Sequence, residues 1–129
     1  MSSTFDKELV IDIINNILWA LDQINKRLEN IETAEDFLID DDGQTKLDSI
    51  CMQLINIGEA LKQIDKITNK TLFDYYPEIE WKKAMAMRDI ITHHYFDVDV
   101  ETVHSVCQKH LPELKEKVKL IKNDLLKLP

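Results

Sequence analysis

Apolar residues recur at Val10, Ile14, Ile17, Leu21, Ile24, Leu28 and Ile31, in alternating steps of four and three, between about Asp6 and Ile31. That alternation keeps a single apolar stripe on one side of an α-helix, at the repeat used by antiparallel bundles. Asp6 stands where an N-cap is needed. A second seam, Leu47, Ile50, Leu54, Ile57, Leu61 and Ile64, predicts a helix from about Thr45 to Ile67. A last seam, Leu114, Val118, Ile121, Leu125 and Leu128, follows Pro112. Between them, Pro77-Glu78-Ile79-Glu80-Trp81 carries the start signals of a third main helix, running to about His93 or Tyr95. Asp99 is placed to cap a fourth segment, Val100 to about His110. Strand-type alternation is absent. The pattern predicts an all-α fold, an up-and-down four-helix bundle with short additional helices.

The connections carry their own signals. Thr33-Ala34-Glu35-Asp36 reads as a capping box with Asp in the usual Glu position, predicting one or two helical turns. Asp40-Asp41-Asp42-Gly43 resembles a piece of a calcium loop but lacks the alternating ligands and the closing glutamate, and is expected to be a solvated turn. Thr68 to Pro77 is turn-like and aromatic. Gly58, in the middle of the second helix, costs about 1 kcal/mol relative to alanine. That cost implies close helix approach or a neighbouring site, and Glu59 is next to it.

Composition narrows the class. With 129 residues, two glycines and three prolines, the chain suits one domain, 1–129, built from few long elements. No apolar run reaches membrane-span length, and the first residues lack the pattern of a secretion signal. Cys51 and Cys107 form no metal-type pair and are expected to be reduced core residues of a cytoplasmic protein. The net charge of −8 argues against broad nucleic-acid affinity. The charge is uneven, however, with an acidic stretch from Glu29 to Asp42 and a lysine-rich last segment. A local cationic site in an acidic body remains open, and so does a basic partner protein.

Chemistry concentrates in Met87-Arg88-Asp89-Ile90-Ile91-Thr92-His93-His94-Tyr95-Phe96. Arg88 offers a permanent cation with a planar fork suited to phosphate, and His93 titrates near neutral pH. Taken singly, Arg88 reads as a surface arginine and His93 as a helix C-terminal histidine. Taken together, they fit an oxyanion clamp and a general acid or base at a phosphodiester. Five residues at about 100° each place His93 roughly 140° around a straight helix from Arg88, whereas Tyr95 returns to the face of Arg88. A shared site then needs Arg88 to reach across, the helix to end near His93, or a second chain to contribute. The third arrangement points to a two-fold dimer with one composite cleft. No His-x3-His or Glu-x-x-His pattern supports a metal, and no strand-to-helix elbow carries a nucleophile.

Arg88, His93 and Tyr95 in the order Arg-x4-His-x-Tyr resemble the signature of HEPN-domain toxins of the HepT type. Ile57-Gly58-Glu59-Ala60 and Pro77-Glu78-Ile79-Glu80-Trp81 are similar to two flanking motifs of that family, and the resemblance spans nearly the whole chain. It implies a metal-independent endoribonuclease acting as a homodimer without a cofactor, the toxin of a type VII-like toxin–antitoxin pair. Arg88 and His93 would be the catalytic pair, with Asp89, Glu59 and Tyr95 in support. Asp89 stands at a position that is often asparagine in the family, and it adds negative charge beside a phosphate site. His104 stands where many members carry tryptophan. The resemblance also implies a partner, a minimal nucleotidyltransferase antitoxin that uses ATP and magnesium to place AMP on Tyr95. The competing readings are a noncatalytic helical subunit that binds a nucleotide or the nucleotidyltransferase, and an oligomeric scaffold without a ligand.

Overall fold

A computed structural model describes residues 5–93 and 98–129, and the side chains of Ile90, Thr92 and His93 fall outside the description. Helix α1 spans Lys7–Arg27, α2 Asp41–Ile67, α3 Trp81–His93, α4 Val100–Ser105 and α5 Leu111–Leu126. No strand occurs among the described residues. The all-α bundle expected from the periodicity is what forms.

Each seam becomes a core face. Val10, Ile14, Ile17, Leu21 and Ile24 of α1 are at most 2% exposed, and they meet Ile50, Leu54, Ile57, Leu61 and Ile64 of α2. Val118, Ile121 and Leu125 of α5 close the core from the other side of α1. Tie points fix the directions. Lys46 near the start of α2 donates to the Glu29 carbonyl just past α1, and Lys7 at the start of α1 donates to the Leu128 carbonyl past α5. Helix α1 therefore runs antiparallel to both α2 and α5. Asp6 caps α1 by accepting from the Leu9 N–H at 3.1 Å, and Asp99 caps α4 by accepting from the Glu101 N–H at 3.0 Å.

Three boundaries differ from the sequence expectation. The Asp40–Gly43 run is the start of α2, not a solvated turn: the Asp40 side chain accepts from the Gly43 N–H at 2.8 Å, with Asp41 and Asp42 in the favourable first turn. Gly43 is needed there because a Cβ would lie 2.5 Å from the Asp36 carbonyl oxygen, on the 3-10 turn Ala34–Leu38 packed against it. That turn carries the expected Asp-type capping box, with the Asp36 carboxylate accepting from the Thr33 and Glu32 N–H groups at 3.0 and 2.8 Å.

The second difference is that α3 begins at Trp81, four residues beyond Pro77. Trp81 stacks on Phe73 with ring centroids 4.1 Å apart, and its indole N–H donates to the Tyr76 carbonyl at 2.7 Å. This docking holds Pro77–Ile79 as a turn. The third is that the expected fourth and fifth segments are joined by a π turn, Val106–His110, that leads straight into α5. Pro112 has no N–H to donate back one turn, and a wider turn just before it keeps the helix running.

Cys51 and Cys107 are both free and buried, and burial pushes their thiols up to about 11 and about 12. Both are packing residues.

Candidate functional site

The α2–α3 seam owes its closeness to Gly58. A Cβ on Gly58 would come within 3.2 Å of the Arg88 backbone nitrogen and the Met85 carbonyl oxygen, and within 3.3 Å of the Arg88 Cβ. The missing side chain lets the backbone of α3 rest directly on α2 at Arg88. The helical cost of a mid-helix glycine is offset by bringing Arg88 beside the residue that follows Gly58.

That residue is Glu59. Its Oε2 lies 3.1 Å from Arg88 Nε, and Arg88 Nη1 donates to Asp89 Oδ1 at 3.0 Å. The other Asp89 oxygen accepts from Lys62 Nζ at 3.0 Å. Glu59, Arg88, Asp89 and Lys62 thus form one alternating chain of charges across the two helices, summing to zero. Lys62 first and Arg88 second hold the Asp89 carboxyl below the usual carboxylate range, so it stays ionised at neutral pH.

The arginine side chain is 41% exposed and that of Glu59 51%, so water screens their attraction. The network fixes direction more than it stabilises the fold. Two of the guanidinium nitrogens are engaged, and Nη2 meets no partner among the described residues. An arginine presents five N–H donors in a rigid fork, so the Nη2 pair is a set of donors that an anion can use.

The structure therefore brings Glu59, Arg88 and Asp89 together. Lys62 belongs with them and was not singled out from the sequence. It sits three residues after Glu59, on the same face of α2, and that spacing was the available signal. His93 is the last residue of α3, one and a half turns past Arg88, with its side chain outside the described set. Tyr95 lies wholly outside the described residues. His104 packs edge-on against Phe37, with ring centroids 6.4 Å apart. Among the described residues no cluster of three or more His, Cys, Asp or Glu is arranged for a metal ion, and no helix is long and apolar enough to cross a membrane.

Comparison with known proteins bears on what this arrangement is. The chain is 34% identical, over 79% of its length, to a Methanocaldococcus jannaschii protein named "Gamma-glutamylcyclotransferase and putative RNase". It is 37% identical over 58% of its length to a second protein of that organism named "Putative RNase". It spans only 47% and 60% of those two relatives' own lengths. A Thermococcus cleftensis protein named "Probable ribonuclease HepT" is 33% identical over 82% of this chain and 89% of its own length. No solved structure gives a significant match. The family model described as Ribonuclease HepT-like matches residues 17–121, a span that includes Glu59, Lys62, Arg88, Asp89, His93 and Tyr95. The chain belongs to the HepT-like ribonuclease family.

Proposed function

We propose that this protein is a metal-independent endoribonuclease, the toxin of a toxin–antitoxin pair, with its active site assembled from two copies of the chain. The observation that carries the reading is the Arg88 guanidinium, held between two carboxylates with Nη2 unpaired among the described residues, five residues before a histidine in a HepT-like chain.

In this mechanism a histidine takes the proton from a ribose 2′-hydroxyl, and the 2′-oxygen attacks the adjacent phosphorus. The bond to the 5′-oxygen breaks, leaving a 2′,3′-cyclic phosphate. A second, protonated histidine supplies the proton that the leaving 5′-oxygen takes up. Arg88 stabilises the charge that builds on the phosphoryl oxygens between these events. Two histidines in complementary protonation states call for two copies of His93, and the roughly 140° between Arg88 and His93 on a straight helix calls for the same two-fold arrangement.

Regulation fits the same residues. A nucleotidyltransferase partner using ATP and magnesium transfers AMP to the Tyr95 oxygen and releases pyrophosphate. The added phosphodiester competes for Arg88 and repels RNA. Co-expression with such an enzyme is expected to raise the intact mass by AMP units, and Tyr95→Phe to abolish the gain.

The composite site is tested with two inactive variants. Arg88→Ala and His93→Ala are each expected to lose cleavage of RNA in EDTA. Wild type mixed with an equal amount of His93→Ala and allowed to exchange subunits is expected to keep about one quarter of its activity, because a mixed dimer holds one His93 where the mechanism uses two. A mixture that keeps about half, as independent subunits would, argues against a site shared between chains. If the wild-type protein cleaves no RNA, the enzyme reading fails.

The charge balance of the network supplies a further expectation. Phosphate reaches Arg88 against the negative charge of Glu59 and Asp89. Asp89→Asn removes one of these and keeps an acceptor for Arg88, so kcat/KM on RNA is expected to rise about two- to fivefold, the scale of an exposed ion pair. A fall in kcat/KM would instead mean that the Asp89 charge is needed to hold Arg88. The same neutralised arginine keeps the noncatalytic reading in play: nucleotide binding that depends on Arg88, without RNA turnover, is its mark.

A further inference from the structure

Beside the Arg88 network lies an open groove of about 530 Å³ lined by Lys62, Asp65, Lys66, Asn69, Lys70 and Met85. We infer that this groove is a binding track for the phosphodiester backbone of single-stranded RNA, leading to Arg88 from the C-terminal end of α2. The inference rests on the ribonuclease reading and adds to it where the strand lies outside the reacting phosphate.

The position of the lysines carries the inference. Lys62 belongs to both features: it lines the groove and holds Asp89, so the track and the Arg88 network are continuous. Lys66 follows one helical turn later, at i+4. Lys70 lies past the helix end and is brought back by the way α2 terminates. Asn69 and Lys70 are both in the left-handed region, with φ of 54° and 61°. The Lys70 N–H donates to the Asp65 carbonyl at 2.8 Å and the Asn69 N–H to the Lys66 carbonyl at 3.1 Å. This is a Schellman-type end, with asparagine in the usual glycine place and a second left-handed residue after it. Lysine rarely adopts that conformation, and here it returns the third cation to the same groove as the other two.

The charge state favours an anion. Lys62 is matched by Asp89, but Lys66 and Lys70 are exposed and meet no carboxylate among the described residues. Asp65 is the one acidic residue in the lining. In a chain of net charge −8, two unmatched lysines beside the arginine site make a local cationic strip. Three cations follow one another along a single open groove, the arrangement that tracks a strand's backbone and not one that cages a single anion. Met85 adds an apolar surface three residues before Arg88, suited to the face of a ribose or base. The openness of the groove suits a continuous strand, which must pass through and leave at both ends.

The test uses the full chain and a labelled single-stranded RNA oligonucleotide of mixed sequence, with binding followed by anisotropy as potassium chloride is raised. The double variant Lys66→Gln, Lys70→Gln is expected to bind about tenfold more weakly at low salt. The slope of log K against log salt is expected to shrink by about 1.4, for two lost contacts at about 0.7 each. In cleavage assays kcat/KM falls by a similar factor, carried by KM. Unchanged affinity and slope with cleavage intact would overturn the track and leave the ribonuclease reading standing. A variant that binds RNA normally but loses association with a nucleotidyltransferase would also overturn it and reassign the strip to a protein partner. A wild-type protein that neither binds nor cleaves RNA removes both. Both substitutions are on exposed side chains, and an unchanged melting temperature excludes a folding defect.

Discussion

Arg88→Ala is expected to lower kcat/KM for RNA cleavage by about a hundredfold or more, with little change in thermal stability. The size follows from the role: removing one preorganised donor to a developing oxyanion costs about 10²–10³ in rate. Stability is spared because the pairs being lost are half exposed to water. What remains behind is unfavourable for function in a second way. Glu59 is left without its partner, and the site keeps its negative charge where the RNA phosphate must sit. Arg88→Lys separates these effects. It keeps the charge but not the fork, so it cannot hold Glu59 and Asp89 while presenting a donor edge. It is expected to recover RNA binding in part and turnover poorly. Steady-state cleavage rates and melting curves measured on the same preparations check this. Equal rates for wild type, Arg88→Ala and Arg88→Lys would remove Arg88 from the site.

Gly58→Val is expected to damage both stability and activity, although residue 58 touches no substrate. Its Cβ would crowd the Arg88 nitrogen and the Met85 carbonyl oxygen at 3.2 Å, and two further methyl groups would be forced between backbones that have no side-chain slack. Overpacking of this kind costs about 1–3 kcal/mol, which for a domain of this size lowers the melting temperature by roughly 4–12 °C. Relief comes from α3 moving off α2, which pulls Arg88 away from Glu59. Gly58→Ala is the informative companion. Alanine regains about 1 kcal/mol of helix propensity, which offsets the crowding of a single methyl group. Its melting temperature therefore stays near wild type while cleavage falls, because a shift of a few tenths of an ångström still displaces the guanidinium. Full activity and native stability in the valine variant would show that the close approach at Gly58 has no bearing on the site.

These two positions also show what the sequence could disclose. The apolar seams located α1, α2 and α5 because burial is periodic, and period survives without coordinates. Gly58 was legible as an anomaly, since a mid-helix glycine needs a reason, and the reason is α3 resting on it. Other features depend on tertiary contacts that no local pattern encodes. Asp40 caps a helix and does not end a loop, because the 3-10 turn before it packs onto Gly43. Pro77 carries a helix-start signal, yet the stacking of Trp81 on Phe73 holds those residues in a turn. Pro112 marks a break in a straight helix, and the π turn at Val106–His110 absorbs it.

At the site, the pairing of Arg88 with Glu59 crosses between helices 29 positions apart in sequence, and the partnership of Lys62 with Asp89 spans 27. Residue type marked Arg88 and Asp89 as chemically suited, and only the packing of α3 on α2 shows which neighbours set their charge. The lysine groove is the clearest case. Lys62 and Lys66 share a helix face by spacing, but Lys70 joins them only through the left-handed end of α2.

Metal-independent cleavage of RNA by Arg88 and His93, the reading proposed above, is open to direct measurement. The direct measurement is the rate of cleavage of an end-labelled RNA in EDTA by wild type, Arg88→Ala and His93→Ala, each purified without a nucleotidyltransferase so that Tyr95 is unmodified. Wild type is expected to cleave, leaving 2′,3′-cyclic phosphate ends, and each variant to lose about a hundredfold or more. Cleavage at equal rates by all three proteins, or only after a divalent metal is restored, would contradict it.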